Sequence, residues 1–391
     1  MKIRIPVQEL TRSLSMMQGI VQRKNTMPIL ANVLLEAEEA DGGHGKLVLS
    51  ATDLDVGMRT TQLCEVMEAG RITIPARALS DIVRVLPGPD VTFEKTQNNH
   101  IEVKSGRTKA RLLGLSADEY PALPAYADVS FTSFDAKLFV DMVEKTSYAS
   151  STDETRYNLN GVLVESAPKG ADDPNLFVMV ATDGHRLVHI ERSFDGVSES
   201  GWSENHQSVI LPRKGLAEMK RLLDGQSSKA SDKDATDLLQ VGFHENHAVM
   251  KYGETILGMR LIDGAFPDYR QVIPKIADKI VRISRSDLSA SLKRVSVLTS
   301  DKSQPVKLTL NKDQLTVSCA NADMGEITDD VPVEYNGEDI EVAFNARYLA
   351  DALNSMDDTN VLLKLTDGLS PGLLVGVDET HHLCVVMPMR W

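Results

Sequence analysis

At 391 residues the chain is too long for one hydrophobic core, and its 42% hydrophobic content is enough to fill several. A formal charge of −14 argues against a general nucleic-acid binder, which is normally basic, and 5% aromatic content argues against a protein built on stacking platforms. Cys64, Cys319 and Cys384 stand far apart with no C-x-x-C pair, which fits a reducing compartment; neither the opening M-K-I-R-I-P-V nor any later run has the apolar length of a leader or a membrane span, so a cytoplasmic protein is expected.

Residues 1–6 alternate as a strand, and 7–24 carry Leu10, Leu14, Met17 and Val21 at helical spacing before the basic pair Arg23 and Lys24. Strands are predicted over 29–37, 46–51, 58–66, 91–95, 101–104 and 109–115, with a helix from 75 to 88. The Pro-containing stretch S-A-D-E-Y-P-A-L-P-A-Y-A-D then reads as a linker. The same order recurs: strand 129–133, helix 136–149, strands 159–166, 176–181 and 187–191, a helix from Pro212, and strands 238–243, 248–252 and 255–261. The polar tract at 226–237 reads as a loop, and F-P-D-Y-R-Q-V-I-P-K at 266–275 is a second linker. A third unit opens with strand 279–283 and helix 286–299 and ends with strand 382–388.

One segment occurs three times in altered form: 72–88, 209–225 and 342–358. In each copy a short strand runs into Pro75, Pro212 or Asn345, residue types suited to a helix start. The helix that follows repeats one apolar stripe: Leu79, Ile82, Val83 and Leu86; Leu216, Met219 and Leu223; Leu349, Ala352, Leu353 and Met356. Roughly opposite stand Arg77 and Arg84, Lys214 and Arg221, and Arg347 and Asn354, so two copies carry paired cations expected to point away from the core. Spacings of 137 and 133 residues between the starts are those of a whole domain, not of a solenoid. The expected fold is α+β, with three similar domains at 1–124, 125–264 and 265–391, each placing two helices on antiparallel sheets. The six helical segments sum to +4, which leaves −18 for the rest of the chain. Comparatively basic helices in an acidic protein suggest that those helices face something anionic.

The repeats, together with N-T-M-P-I-L-A-N (25–32), R-Y-N-L-N-G (156–161), T-D-G-H-R-L (182–187), F-P-D-Y-R (266–270) and V-V-M-P-M-R (385–390), resemble the bacterial sliding clamps, the beta subunits of DNA polymerase III, from end to end. The resemblance implies a head-to-tail homodimer closing a six-domain ring around duplex DNA, with helices lining the hole. Such a clamp tethers the replicative polymerase and confers processivity without catalysing a reaction, and it needs no cofactor or metal. Other partners it implies are the clamp loader and repair proteins carrying clamp-binding motifs. A weakly basic lining attracts the duplex through its phosphates without reading sequence.

For DNA the candidates are Lys24, Arg77, Arg84, Lys214 and Arg221 from the repeat, with Tyr157 and Asn158 from matching family positions. Asp153 occupies another such position, where a neutral polar residue is usual. The family's partner-peptide pocket maps onto Leu159, Thr182, Gly184, His185, Arg186, Leu187, Pro267, Val272, Asn345, Tyr348, Leu369, Ser370, Val385, Val386, Met387, Pro388, Met389 and Arg390. Met, Leu, Val and Pro would supply an adaptable apolar cleft, with His185 and Arg186 as polar anchors. Gln271, Ser303 and Trp391 depart from the family's usual residues around that pocket. The resemblance also places Leu112 of one chain against Val297 and Leu298 of another at the ring joint, with Ala110 standing where a larger residue is common.

Two other readings compete. Asp183, His185 and His189 could ligate a metal if 178–190 stayed extended, since His185 and His189 would then share a face. The D-G step predicts a turn there instead, and no hydrolase or nucleotide motif accompanies the three. A repeat scaffold that binds peptides but not DNA differs, in sequence, only in helix charge.

Overall fold

The computed structural model describes residues 1–21, 27–39, 44–124, 126, 128–166, 173–194, 202, 208–226, 237–299 and 305–390. Lys24, Ser303, Trp391 and nearly all of the 226–237 tract lie outside these residues. Six α-helices occur among them: α1 Val7–Met17, α2 Ala76–Arg84, α3 Ala136–Ser147, α4 Arg213–Gln226, α5 Arg285–Val295 and α6 Ala346–Asn354. The repeated starts hold. Pro75 immediately precedes α2, Pro212 precedes α4, and the Asn345 side chain accepts from the backbone N–H groups of Arg347 and Tyr348 to cap α6. The buried stripes follow the predicted spacing at Leu79 and Val83, at Leu216, Met219 and Leu223, and at Leu349, Ala352, Leu353 and Met356; Ile82 and Leu86 are only half-buried.

Some boundaries move. Helix α1 ends at Met17, well before the basic pair. The strand expected at 129–133 is Phe131–Asp135, and the one expected at 58–66 is longer, Val56–Glu68. Helix α5 stops at Val295 and hands over to one tighter turn, Ser296–Leu298, that carries Val297 and Leu298, two of the three residues expected at the ring joint.

The chain forms two compact units, and their limits do not follow the three predicted domains. The first holds residues 1–137, 197–206 and 214–261; the second holds 138–196, 207–213 and 262–391. Each contains one antiparallel sheet of 12 strands. In the first unit the sheet passes from Val56–Glu68 directly to Thr255–Arg260, a strand from the next repeat. In the second it passes from Arg186–Ser193 to His382–Val386 in the same manner. The central repeat thus contributes strands to both sheets. Within the first unit α1 packs beside α2, and within the second α5 packs beside α6, each pair closing a core of Leu, Ile, Val and Met side chains.

The two crossings are copies of one another. Val56, Gly57 and Met58 face Met259, Gly258 and Leu257; Arg186, Leu187 and Val188 face Val386, Val385 and Cys384. Each crossing is flanked by the same two backbone bonds, Thr61 N–H to Glu254 O (3.2 Å) and Arg260 N–H to Asp55 O (2.8 Å) in one, Glu191 N–H to His381 O (2.9 Å) and Met387 N–H to His185 O (2.9 Å) in the other.

Candidate docking cleft and charged surfaces

The T-D-G-H-R-L segment is a turn fixed by its own side chains. Asp183 Oδ1 accepts from the N–H groups of His185 (2.9 Å) and Arg186 (3.1 Å), while Thr182 Oγ1 accepts from Gly184 N–H (3.1 Å) and donates to Arg186 O (2.6 Å). Gly184 takes φ +86°, where a side chain is strained. These bonds break the extended run that a shared histidine face would need. Asp183 Oδ2 is engaged as well, accepting from Arg186 Nε at 3.1 Å.

The turn aims Arg186 inward. Its Nη1 donates to Asp351 at 2.6 Å and its Nη2 to Tyr148 O at 2.9 Å, and its guanidinium lies 4.6 Å from the Tyr348 ring centre. His185 stacks on Tyr348 with ring centres 6.4 Å apart. Beside this polar anchor opens an apolar cleft of about 110 Å³, lined by Leu159, Thr182, Gly184, Arg186, Leu187, Pro267, Tyr269, Val272, Val385 and Met387. Leu187 and Val385 form its buried floor because the strand crossing sets them face to face. Tyr269 closes one wall, its hydroxyl donating to Glu165 at 2.7 Å and its ring 5.5 Å from His189. Burial, and then the Glu165 carboxylate, push the Tyr269 pKa well above that of a free phenol.

Nine of the expected pocket residues thus meet in one cleft. His185 and Tyr348 line an adjoining polar basin of about 340 Å³ that shares Arg186 and also takes in Arg156, Arg213 and Arg347. The others lie off the cleft. Asn345 is occupied as a helix cap, Val386 is buried in its strand, and Met389 N–H is bonded to Ala343 O at 2.8 Å. Pro388 is half-buried and Arg390 exposed. Leu369 is 83% exposed and, with Ser370, belongs to a turn closed on Asp367. Tyr269 was missed, although the F-P-D-Y-R segment that carries it was visible.

The cations of the repeated helices divide into two kinds. Arg77 and Arg84 stand exposed on α2, Arg77 paired only loosely with Asp81 at 3.8 Å. Lys214 and Arg221 on α4 do not point freely away from the core. Lys214 pairs with Asp53, whose side chain is 2% exposed, and Arg221 pairs with Glu218, 5% exposed, at 3.0 Å. Two buried carboxylates of the first unit hold them. Asp53 could not have been matched to Lys214 by spacing, because it lies 161 residues away, whereas Glu218 stands three residues before Arg221 on the same helix. In the second unit Tyr157 is 51% exposed, and Asn158 donates to Ala265 O at 2.8 Å. Asp153 accepts from the hydroxyl and N–H of Thr155, which hold its carboxyl below the usual carboxylate range.

Leu112 is half-buried on Thr108–Leu113, a strand bonded on one side only among the described residues. Val297 is 73% exposed, and the carbonyl of Leu298 accepts from Asn321 at the turn before strand Gly325–Glu334.

Domain families described as DNA polymerase III beta subunit N-terminal, central and C-terminal domain match residues 1–124, 133–268 and 270–390. Over the full length of both chains, this sequence is 32% identical to the beta sliding clamp of Caulobacter vibrioides strain NA1000 and 34% identical to that of Haemophilus influenzae. Among solved structures, the sliding clamp of Caulobacter crescentus superposes with a TM-score of 0.88 at 32% identity, and the DNA polymerase III subunit beta of Pseudomonas aeruginosa with 0.87 at 31%, each covering 100% of both chains. The chain belongs to the DNA polymerase III beta subunit family, the beta sliding clamps, and is a non-catalytic processivity subunit built of three clamp domains.

Proposed function

We propose that two copies of this chain close head to tail into a ring around duplex DNA, with domains at 1–124, 125–264 and 265–391, in the bacterial cytoplasm. The carrying observation is a pair of unmatched strand edges. In both strand crossings the third strand of one repeat's hairpin pairs with the last strand of the next repeat. Among the described residues two members of that series are left over: Gly325–Glu334, unpaired along one edge from 325 to 332, and Thr108–Leu113, bonded only to His100–Ser105. A free edge invites a partner strand, and a second copy offers the one that fits. Val297, Leu298 and Met324 flank one edge, with Leu112, Leu113 and Leu115 on the other.

On this reading Arg77 and Arg84 meet the phosphate backbone, with Tyr157 and Asn158 as further contacts and Lys24 as an additional candidate. Lys214 and Arg221 contribute a field already reduced by their own carboxylates. Sliding needs such weak, sequence-blind contacts, because topology supplies the retention. The apolar cleft on the second unit takes the linear motifs of the replicative polymerase, the clamp loader and repair proteins. Its buried Leu187 and Val385 provide the floor and its Arg186 the anchor. That no helix among the described residues is long and apolar enough to cross a membrane agrees with this placement.

The deciding experiment loads the protein onto a nicked circular DNA and measures retention before and after linearisation. Loss only from the linear form supports the ring; equal retention, or a salt dependence of many fixed phosphate contacts, overturns it.

A further inference from the structure

We propose that the first unit carries a second peptide-docking cleft, which takes a linear segment of a partner protein with a carboxylate next to a large apolar side chain. The site is a cavity of about 230 Å³, larger than the cleft on the second unit. It is lined by Met58, Arg59, Leu123, Pro124, Tyr126 and Ile256, over Gly57.

Its position is fixed by the internal repeat. The turn 52–56 reproduces the turn 182–186 bond for bond: Thr52 Oγ1 donates to Val56 O (3.1 Å) and accepts from Leu54 N–H (3.0 Å), while Asp53 Oδ1 accepts from Asp55 N–H (3.1 Å) and Val56 N–H (2.7 Å). Leu54, at φ +83°, stands where Gly184 stands. Gly57 therefore corresponds to Leu187, and its strand partner Gly258 to Val385. Each cleft lies on its unit's strand crossing, and each is walled by a proline and a tyrosine two residues apart, Pro124 and Tyr126 in one, Pro267 and Tyr269 in the other.

The differences say what the occupant must bring. Where the second unit has Leu187 and Val385, the first has glycines, and the linker side chains settle into the space: a Cβ on Gly258 would lie 2.0 Å from the Tyr126 hydroxyl oxygen, and one on Gly57 2.5 Å from Leu123 Cδ2. A pocket remains above them. In the second unit the anchoring arginine is satisfied by Asp183, Asp351 and a carbonyl. The Arg59 side chain makes no hydrogen bond or ion pair among the described residues, and its Nε is buried. In a chain with 56 Asp and Glu against 42 Lys and Arg, a half-buried guanidinium facing an apolar pocket without a carboxylate is an unfilled demand. A peptide carboxylate supplies the missing acceptor, and its neighbouring Leu or Phe the apolar contact.

The inference rests on the peptide reading of the second unit's cleft only for the comparison, and the test separates the two. The probe is the capped hexapeptide Gly-Leu-Phe-Asp-Leu-Gly, titrated calorimetrically into the full chain and its variants, with an Asn-for-Asp peptide alongside. The native chain is expected to bind two peptides, and Leu187→Asp to leave one. In that background Arg59→Met, which keeps the aliphatic packing and loses no hydrogen bond, should weaken the remaining site about tenfold. Arg59→Lys should recover part of the loss, and the Asn peptide should not respond to either change. A single native site abolished by Leu187→Asp, or a second site indifferent to Arg59→Met, overturns the proposal while leaving the other cleft's reading intact. A single site lost with Arg59→Met but untouched by Leu187→Asp supports it and removes the other.

Discussion

His382, the first residue of the strand His382–Val386, is 1% exposed, and burial, with the charges of Lys145 and Arg192, pushes its pKa down to about 4. The unfolded chain binds that proton near 6.5, so between the two values the unfolded state holds more protons than the folded one. Stability is then complete above about pH 6.5 and falls as pH drops toward 4, by up to about 3 kcal/mol for this one ring. His189 is shifted in the same direction, again mainly by burial. Urea midpoints measured from pH 7 to pH 4.5 should decline, and His382→Gln should flatten part of that decline; an unchanged slope would place the acid sensitivity elsewhere. Lys145 itself is 8% exposed and bridges Asp141 (3.0 Å), Asp357 (2.7 Å) and Glu379 (3.6 Å); its hydrogen bond holds the Asp357 carboxyl below the usual carboxylate range, so acid that protonates Asp357 weakens the same corner. Both effects run in one direction.

Among the elements, the Thr-Asp turn shows how one backbone shape serves two sequences. Gly184 adopts φ +86° at no steric cost, whereas Leu54 adopts φ +83° while 54% exposed. Gly184→Leu should therefore destabilise by about 1–2 kcal/mol, and by more if Arg156, whose Nη1 lies 2.8 Å from the added Cβ, cannot move. Leu54→Gly should raise stability by up to about 1 kcal/mol; thermal melts that reverse this order would mean the two turns are not equivalent. On α4, Lys214→Met strands the buried Asp53 carboxylate, which retains only backbone donors, and should cost about 1–3 kcal/mol. Arg77→Met should leave the melting temperature unchanged and reduce only DNA loading. If both lose loading without a change in melting, Lys214 is a DNA contact after all. These cases mark what the sequence makes legible. Helix starts at Pro75, Pro212 and Asn345, the apolar stripes and nine of the cleft's ten lining residues follow from local pattern and resemblance. The fate of Lys214, the wall contributed by Tyr269 and the sheets that cross domain limits depend on partners more than a hundred residues away, which periodicity does not encode.

At the scale of the whole molecule the two strand crossings set a rule that a third, between the two chains of the proposed ring, would follow. Asn321 Oδ1 accepts from the N–H groups of Asp323 (2.9 Å) and Met324 (3.2 Å), as Asp53 does at the matching turn, but the turn is one residue longer: Asn321 pairs with Gly325, at φ +104°, where Asp53 N–H bonds to Val56 O. The pairing Ala320↔Glu326 then corresponds to Thr52↔Gly57, which makes Glu326 the counterpart of Gly57 and Leu187. On the other edge, Ser105↔Thr108 corresponds to Tyr252↔Thr255, so Arg111 is the counterpart of Gly258 and Ala110 that of Leu257. The ring joint should pair Glu326 with Arg111 of the second copy and Ile327 with its Ala110. Opposite charges set directly across adjacent strands attract, and like charges there repel. Glu326→Arg alone, or Arg111→Glu alone, should weaken the dimer about tenfold per joint, and the two together should restore it. Ile327→Asp should give monomer whatever stands at 326. Sedimentation across a dilution series reads all four. If the double charge swap dissociates as far as the sum of its parts while Ile327→Asp still yields monomer, the edges meet but in another register. If Ile327→Asp leaves the dimer intact, the chains do not join through these edges at all.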